Sequence, residues 1–153
     1  MGLRVIFGLF WAADAYLKWS LIAQGIDYRD LVSNAAEGQP STVASWIRFW
    51  ADIATSTPGF PYVIAVAETL IAIFIIIIGL FTKLTSLAGI VFSFLIWSTA
   101  EAFGGVFAQG ATDIGTAPLY MAMFAGLIVV RAGMQRGIDG HILRRYSRLR
   151  LLL

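Results

Sequence analysis

Cysteine is absent from the 153 residues, and histidine occurs once, as His141. The first absence excludes disulfides, thiol redox chemistry, thiolate metal sites and iron–sulfur ligation. The second excludes a bis-histidine haem and any multi-histidine metal centre, so no metal site and no covalently held cofactor is expected. Charge is scarce as well: charged residues make up 13% and hydrophobic residues 59%, and the mean hydropathy is +0.80. Soluble domains carry about 25% charged and about 45–50% apolar residues. The composition therefore excludes an ordinary soluble domain and a disordered chain. A net charge of +2 remains. It is concentrated at the C-terminal end, which reads as membrane orientation and not as nucleic-acid binding.

What is present is a set of long apolar runs. A membrane-crossing helix needs about 20 mostly apolar residues. Four segments qualify, at about 3–23, 60–81, 84–103 and 116–134, the last reaching its end only if Arg131 snorkels. The first carries Arg4, Asp14 and Lys18 and no small-residue cleavage site follows it, so it is read as a retained helix and not a signal peptide. The expected fold is an all-α membrane protein, a four-helix transmembrane bundle over 1–134 with a basic tail over 135–153. The basic residues set its orientation. Arg131, Arg136, Arg144, Arg145, Arg148 and Arg150 follow the fourth span, Lys83 sits in the turn between the second and third, and Arg4 lies at the start. Both termini are expected in the cytoplasm of a cell whose cytoplasmic membrane holds the chain. Arg144, Arg145, Arg148 and Arg150 would contact anionic lipid headgroups, and His141 is read as a surface residue.

The first extracytoplasmic loop is too long for a simple connection. Over about 41–55 it places Val43, Trp46, Ile47, Trp50 and Ile53 at helical spacing, with Ser45, Arg48 and Asp52 opposite. This predicts a short interfacial helix, capped by Ser41 or Thr42 after Pro40. Trp46 and Trp50 would either meet the membrane interface or a partner, or cover the outer ends of the spans.

The charges inside apolar segments carry the functional signal, because a charge at the bilayer centre costs from about 3 to more than 10 kcal/mol. Asp14 and Lys18 lie one turn apart on one face, Glu68 falls in the second span, Glu101 near the end of the third, and Asp113 just before the fourth. All gather in the outer half. Arg4, Phe7, Trp11, Asp14 and Lys18 form a heptad seam. Ala65, Glu68, Ala72 and Gly79 form a second stripe, Phe94, Trp97 and Glu101 a third, and Tyr120 with Phe124 a fourth. Turned inward, these stripes would enclose Asp14, Lys18, Glu68, Trp97, Glu101, Asp113 and Tyr120 in a polar pocket. Such a pocket suits a small amphipathic ligand, most naturally a quinone head. Aromatic walls hold the ring, and a buried carboxyl group beside another acid can exchange protons near neutral pH. The alternative is structural: Asp14 pairs with Lys18, and the acids anchor backbone groups or water.

Several stretches resemble the DoxX/DoxD-like membrane proteins. Arg4-Val-Ile-Phe-Gly-Leu-Phe-Trp-Ala-Ala-Asp-Ala-Tyr-Leu-Lys-Trp19 is similar to that family's first helix. Glu68 followed by Ile-Gly-Leu-Phe-Thr-Lys83 is similar to its acidic second helix, and Thr112-Asp113-Ile-Gly-Thr-Ala-Pro118 to the start of its fourth. The resemblance implies a small four-helix accessory subunit of a redox complex, of the kind found with a terminal quinol oxidase or thiosulfate:quinone oxidoreductase. Lys18, Glu68 and Asp113 match its recurring polar positions. Distant relatives use a cysteine pair, which this chain lacks. On this reading the chain has no catalytic activity alone. Its partners are the bilayer, other membrane subunits and, through self-association, further copies of itself. The competing functions are a purely structural or assembly subunit and a small proton-coupled transporter, the latter disfavoured because the acids lie away from the midplane.

Overall fold

The computed structural model describes residues 2–26, 28–75, 81–107, 113–132, 139 and 142. The arginines of the tail after Arg131, His141 and Gly79 lie outside the described residues. The described elements are helical: α1 (Gly2–Ala23), α2 (Tyr28–Asn34), α3 (Ser41–Ser56), α4 (Phe60–Ile73), α5 (Thr82–Ser98), a 3-10 turn at Ala102–Gly105, and α6 (Ala117–Val129). α1, with 22 residues, is long and apolar enough to cross a membrane by itself. α3 and α4 reach that length only as a pair, and the chain bends by 101° between them. Gly59, in the left-handed region, and Pro61 in the first turn of α4 produce that bend.

α5 and α6 are shorter than the spans expected at 84–103 and 116–134. At the end of α5 the Glu101 amide reaches back to the Ile96 carbonyl at 3.0 Å. Ala102 and Phe103 then take positive φ, which no helix can continue. α6 stops in the same manner. Arg131 adopts φ 47°, and the Ala132 amide closes on the Leu127 carbonyl at 3.0 Å. This six-to-one bond ends the helix before Met134. At about 1.5 Å per residue, α5 is about 25 Å long and α6 about 20 Å.

α1 runs antiparallel to α4. Trp19 meets Tyr62 with ring centroids 6.4 Å apart, whereas Phe7 and Trp11 share a core with Ile71 and Ile75. α5 and α6 form the second antiparallel pair. Phe124 occupies the space where a Gly89 side chain would begin, so glycine is what lets the two backbones close on that ring. The pairs meet where Trp11, Phe124 and Tyr120 stack. The Trp11–Phe124 centroids are 4.9 Å apart and the Trp11–Tyr120 centroids 5.3 Å.

A second, smaller core joins α2 and α3 to the turn after α5, through Val32, Ala36, Ala44, Ile47, Ala51 and Ala102. Ile47 of the expected face of α3 is in this core, together with alanines that the expectation did not include. The helix buries Ala44, Ile47, Ala51 and Ala54, while Trp46 and Phe49 are exposed. Alanines and Ile47 make the contact with Val32, Ala36 and Ala102, which leaves Trp46 and Phe49 at the rim. The expected cap is corrected. Ser41 is already helical, Pro40 holds the cap position, and no side chain caps the helix.

The interior of α5 also differs from the expected Phe94, Trp97 and Glu101 stripe. Its buried residues are Thr82, Ser86, Gly89, Ser93 and Ser98, and Phe94 is exposed. Beside the aromatic and aliphatic core, the helices turn other large apolar side chains out and several polar ones in. Leu9, Phe10, Val63, Leu70, Val91 and Leu119 face outward, and Arg4, Glu68, Thr82, Ser86 and Ser93 face inward.

Candidate functional site: the charge cluster between α1 and α4

The heptad seam of α1 places Asp14 and Lys18 one turn apart, and α4 brings Glu68 to the same seam between the small side chains of Ala65 and Ala72. The Lys18 ammonium lies 3.8 Å from Asp14 Oδ1 and 3.8 Å from Glu68 Oε1. Both separations exceed hydrogen-bond length, so the contacts are Coulombic. Exposure differs sharply across the cluster: the side chains of Asp14 and Lys18 are 23% and 17% exposed, that of Glu68 0%. Neither carboxyl oxygen of Glu68 has a hydrogen-bond partner among the described residues. Beside it, the Trp19 indole donates to Thr69 Oγ1 at 3.0 Å, and Thr69 donates to the Ala65 carbonyl at 2.7 Å. This bond fastens α1 to α4 at the residue next to Glu68.

Tyr120 approaches from α6. It is half-buried against Trp11 and Phe7. Asp14, Lys18 and Glu68 are therefore drawn together, and Tyr120 packs on the aromatic residues of the same α1 seam.

Glu101, Trp97 and Asp113 are engaged elsewhere. Glu101 accepts hydrogen bonds from the Thr116 hydroxyl and, at 3.1 Å, from the Ala117 amide. It thereby satisfies the start of α6, where amides lack helical partners. Gly115, at φ 87°, leaves the space the Glu101 carboxylate occupies. The Trp97 indole donates to the Ile114 carbonyl at 2.8 Å, and the exposed Asp113 accepts from the next residue's amide at 2.6 Å. These three residues build the α5–α6 turn.

Asp139 escapes the sequence reading, and the burial of Arg4 goes beyond it. Asp139, fully buried, accepts hydrogen bonds from the Phe81 amide at 2.6 Å and the Thr82 amide at 3.0 Å. By sequence it lies in the basic tail, and only its distant partners reveal its role. Buried Arg4 has Nε and one terminal nitrogen without a hydrogen-bond partner among the described residues. Its place on the α1 seam was the available signal. Among the described residues no group of three or more His, Cys, Asp or Glu side chains could hold a metal.

Comparison with family models, curated proteins and solved structures returns no match for this chain.

Chemically, the cluster offers a carboxyl group withdrawn from water, with two oxygens open to a hydrogen bond and one lysine within Coulombic range. Such a group can bind, donate to or accept from a polar ligand atom delivered through an apolar wall.

Proposed function

We propose that the chain is a small multi-pass subunit of the cytoplasmic membrane, with four spans and both termini in the cytoplasm. It handles a quinone head or its protons for a redox complex. The observation that carries this reading is Glu68, wholly buried and without a hydrogen bond, within 3.8 Å of Lys18. An apolar exterior surrounds it. Large apolar side chains exposed on every long helix are expensive in water and normal in lipid, and this supports reading α4, α5 and α6 as spans beside α1. The arginines after Arg131 support the orientation. The resemblance to DoxX/DoxD-like proteins supports the redox partner, and it includes Lys18 and Glu68 among its matching positions.

Glu68→Gln tests the reading. In native membranes the substituted chain should assemble normally while quinone-linked turnover of its complex falls at least tenfold. Unchanged turnover would remove the quinone and proton role. A structural reading draws on one specific observation: Lys18 and Asp14 on α1 join Glu68 on α4, tying two helices together. Under it, Glu68→Gln would lower the yield of assembled complex without changing turnover per complex.

A further inference from the structure

Helix α3 has three flanks. At about 100° per residue, Ala44, Ile47, Ala51 and Ala54 form the buried one. Trp50, Trp46 and Phe49 follow on one side, and Arg48, Asp52 and Ser45 on the other. Trp46 and Phe49 are exposed, as are Ser45, Arg48 and Asp52. The aromatic flank is continuous. The Trp46 ring centroid lies 5.8 Å from that of Trp50 and 6.5 Å from that of Phe49, and Phe49 lies 5.6 Å from Trp50. Trp50, half-buried at the inner edge of this flank, borders the same apolar space as Phe60 and Ile64 of α4 and Phe92 and Leu95 of α5. The aromatic flank therefore begins on the side of the long helices, and the polar flank lies opposite it. Rings on one side and charge on the other are what a helix lying in a membrane surface requires.

The end of the bundle that carries α3 is marked in the same way. α3 meets α4 at 101°, so it lies across the direction that α4 follows. Trp19 pairs with Tyr62 where α1 ends and α4 begins. Near the end of α5, Trp97 stacks on Phe103 at 5.1 Å, and Phe103 meets the exposed Phe107 at 5.8 Å. Of the five tryptophans, Trp11 is in the core and the other four stand at this end. The end where α1 and α5 begin carries none. Tryptophan and tyrosine gather where hydrocarbon gives way to headgroups. Charge then selects the kind of surface. Between 24 and 59 the sequence sets Asp27, Asp30, Glu37 and Asp52 against Arg29 and Arg48. A segment with an acidic excess gains nothing from anionic headgroups. What attracts it is the entry of its rings into a neutral headgroup layer.

We infer that α3 lies along the headgroup layer of the outer leaflet, with Trp46 and Phe49 inserted among zwitterionic lipids beside the spans and Arg48 and Asp52 in water. This rests on the reading of α1, α4, α5 and α6 as spans. It also fixes the depth of the charge cluster. Lys18 adjoins Trp19 in the layer the rings mark, and Glu68 is six residues beyond Tyr62, about 9 Å along α4. The cluster then lies just below the headgroups of that leaflet and not at the midplane.

The chain has no cysteine, so single labels need no prior substitution. Trp46→Cys, Phe49→Cys, Ser45→Cys and Asp52→Cys, each carrying a nitroxide, are compared in phosphatidylcholine nanodiscs. Collision with oxygen, which concentrates in lipid, is divided by collision with a water-soluble nickel chelate. The ratio should be several times higher at positions 46 and 49 than at 45 and 52. Equal ratios around the helix would overturn the inference. So would labels at 46 and 49 shielded from both reagents, because that face would then be covered by protein, a second copy or another subunit. Val66→Cys and Leu70→Cys on the exposed face of α4 report the spans separately. Lipid-like ratios there with water-like ratios at 46 and 49 end this inference and leave the spans standing. Water-like ratios at 66 and 70 end both.

Discussion

The α1–α4 pair and the α5–α6 pair bury acids in opposite ways. In the α5–α6 half, Glu101 and Asp139 each accept two hydrogen bonds at the start of a helix. Their charge is matched by amides that would otherwise go unpaired. In the α1–α4 half, Glu68 is at least as deeply buried and makes no hydrogen bond. Its neighbour Lys18 stands off at 3.8 Å. The contrast separates an acid used as a fastener from an acid held ready. Burial alone does not mark a functional carboxylate in an apolar protein; burial with idle oxygens does.

Four substitutions sharpen or break that contrast, and each is read as a change in unfolding free energy in one detergent. The largest effect belongs to the seam that holds the fastened half together. Gly89→Leu drives a side chain into the Phe124 ring and should cost about 3 kcal/mol. Phe124→Ala in the same chain should restore part of the loss, and no rescue would mean that the two helices do not meet there. Next, Glu101→Gln should cost about 2 kcal/mol by weakening the bonds to Thr116 and Ala117. Asp139→Asn should cost about 1 kcal/mol at the start of α5. A protein as stable as the parent would detach Asp139 from Phe81 and Thr82. The smallest effect is expected for the matched change Glu68→Gln, within about 0.5 kcal/mol of the parent, because the desolvation penalty it relieves offsets the loss of attraction to Lys18, which keeps Asp14 as a partner. If Glu68→Gln destabilises as strongly as Glu101→Gln, the two acids are equivalent and the contrast collapses.

The α1 seam was legible because its charges and aromatics share a heptad, and the helix buries Arg4, Phe7 and Trp11 along it. Helix α5 was misread for an instructive reason. Its fully buried residues are hydroxyl side chains and Gly89, while Phe94 and Val91 face outward, so the usual equation of apolar with buried misplaces the Phe94 face. In α3 the large side chains give the strongest periodic signal, yet of them only Ile47 is fully buried and alanines make the rest of the contact. α2 left no such signal in its seven residues. Glu101 was recognisable as an acid near a helix end, but its role depends on the fold of the α5–α6 turn. Asp139 could not be assigned from local pattern, because its partners lie 57 and 58 residues earlier.

That separation orders events during synthesis. The ribosome delivers Thr82 first, and Asp139 only 57 residues later. Through that interval α5 must wait with its leading amides open, until the segment after α6 has been made and brought back. Closing this bond is therefore among the last steps of assembly. A chain interrupted anywhere in between carries an exposed pair of donors that a quality-control factor could read as unfinished.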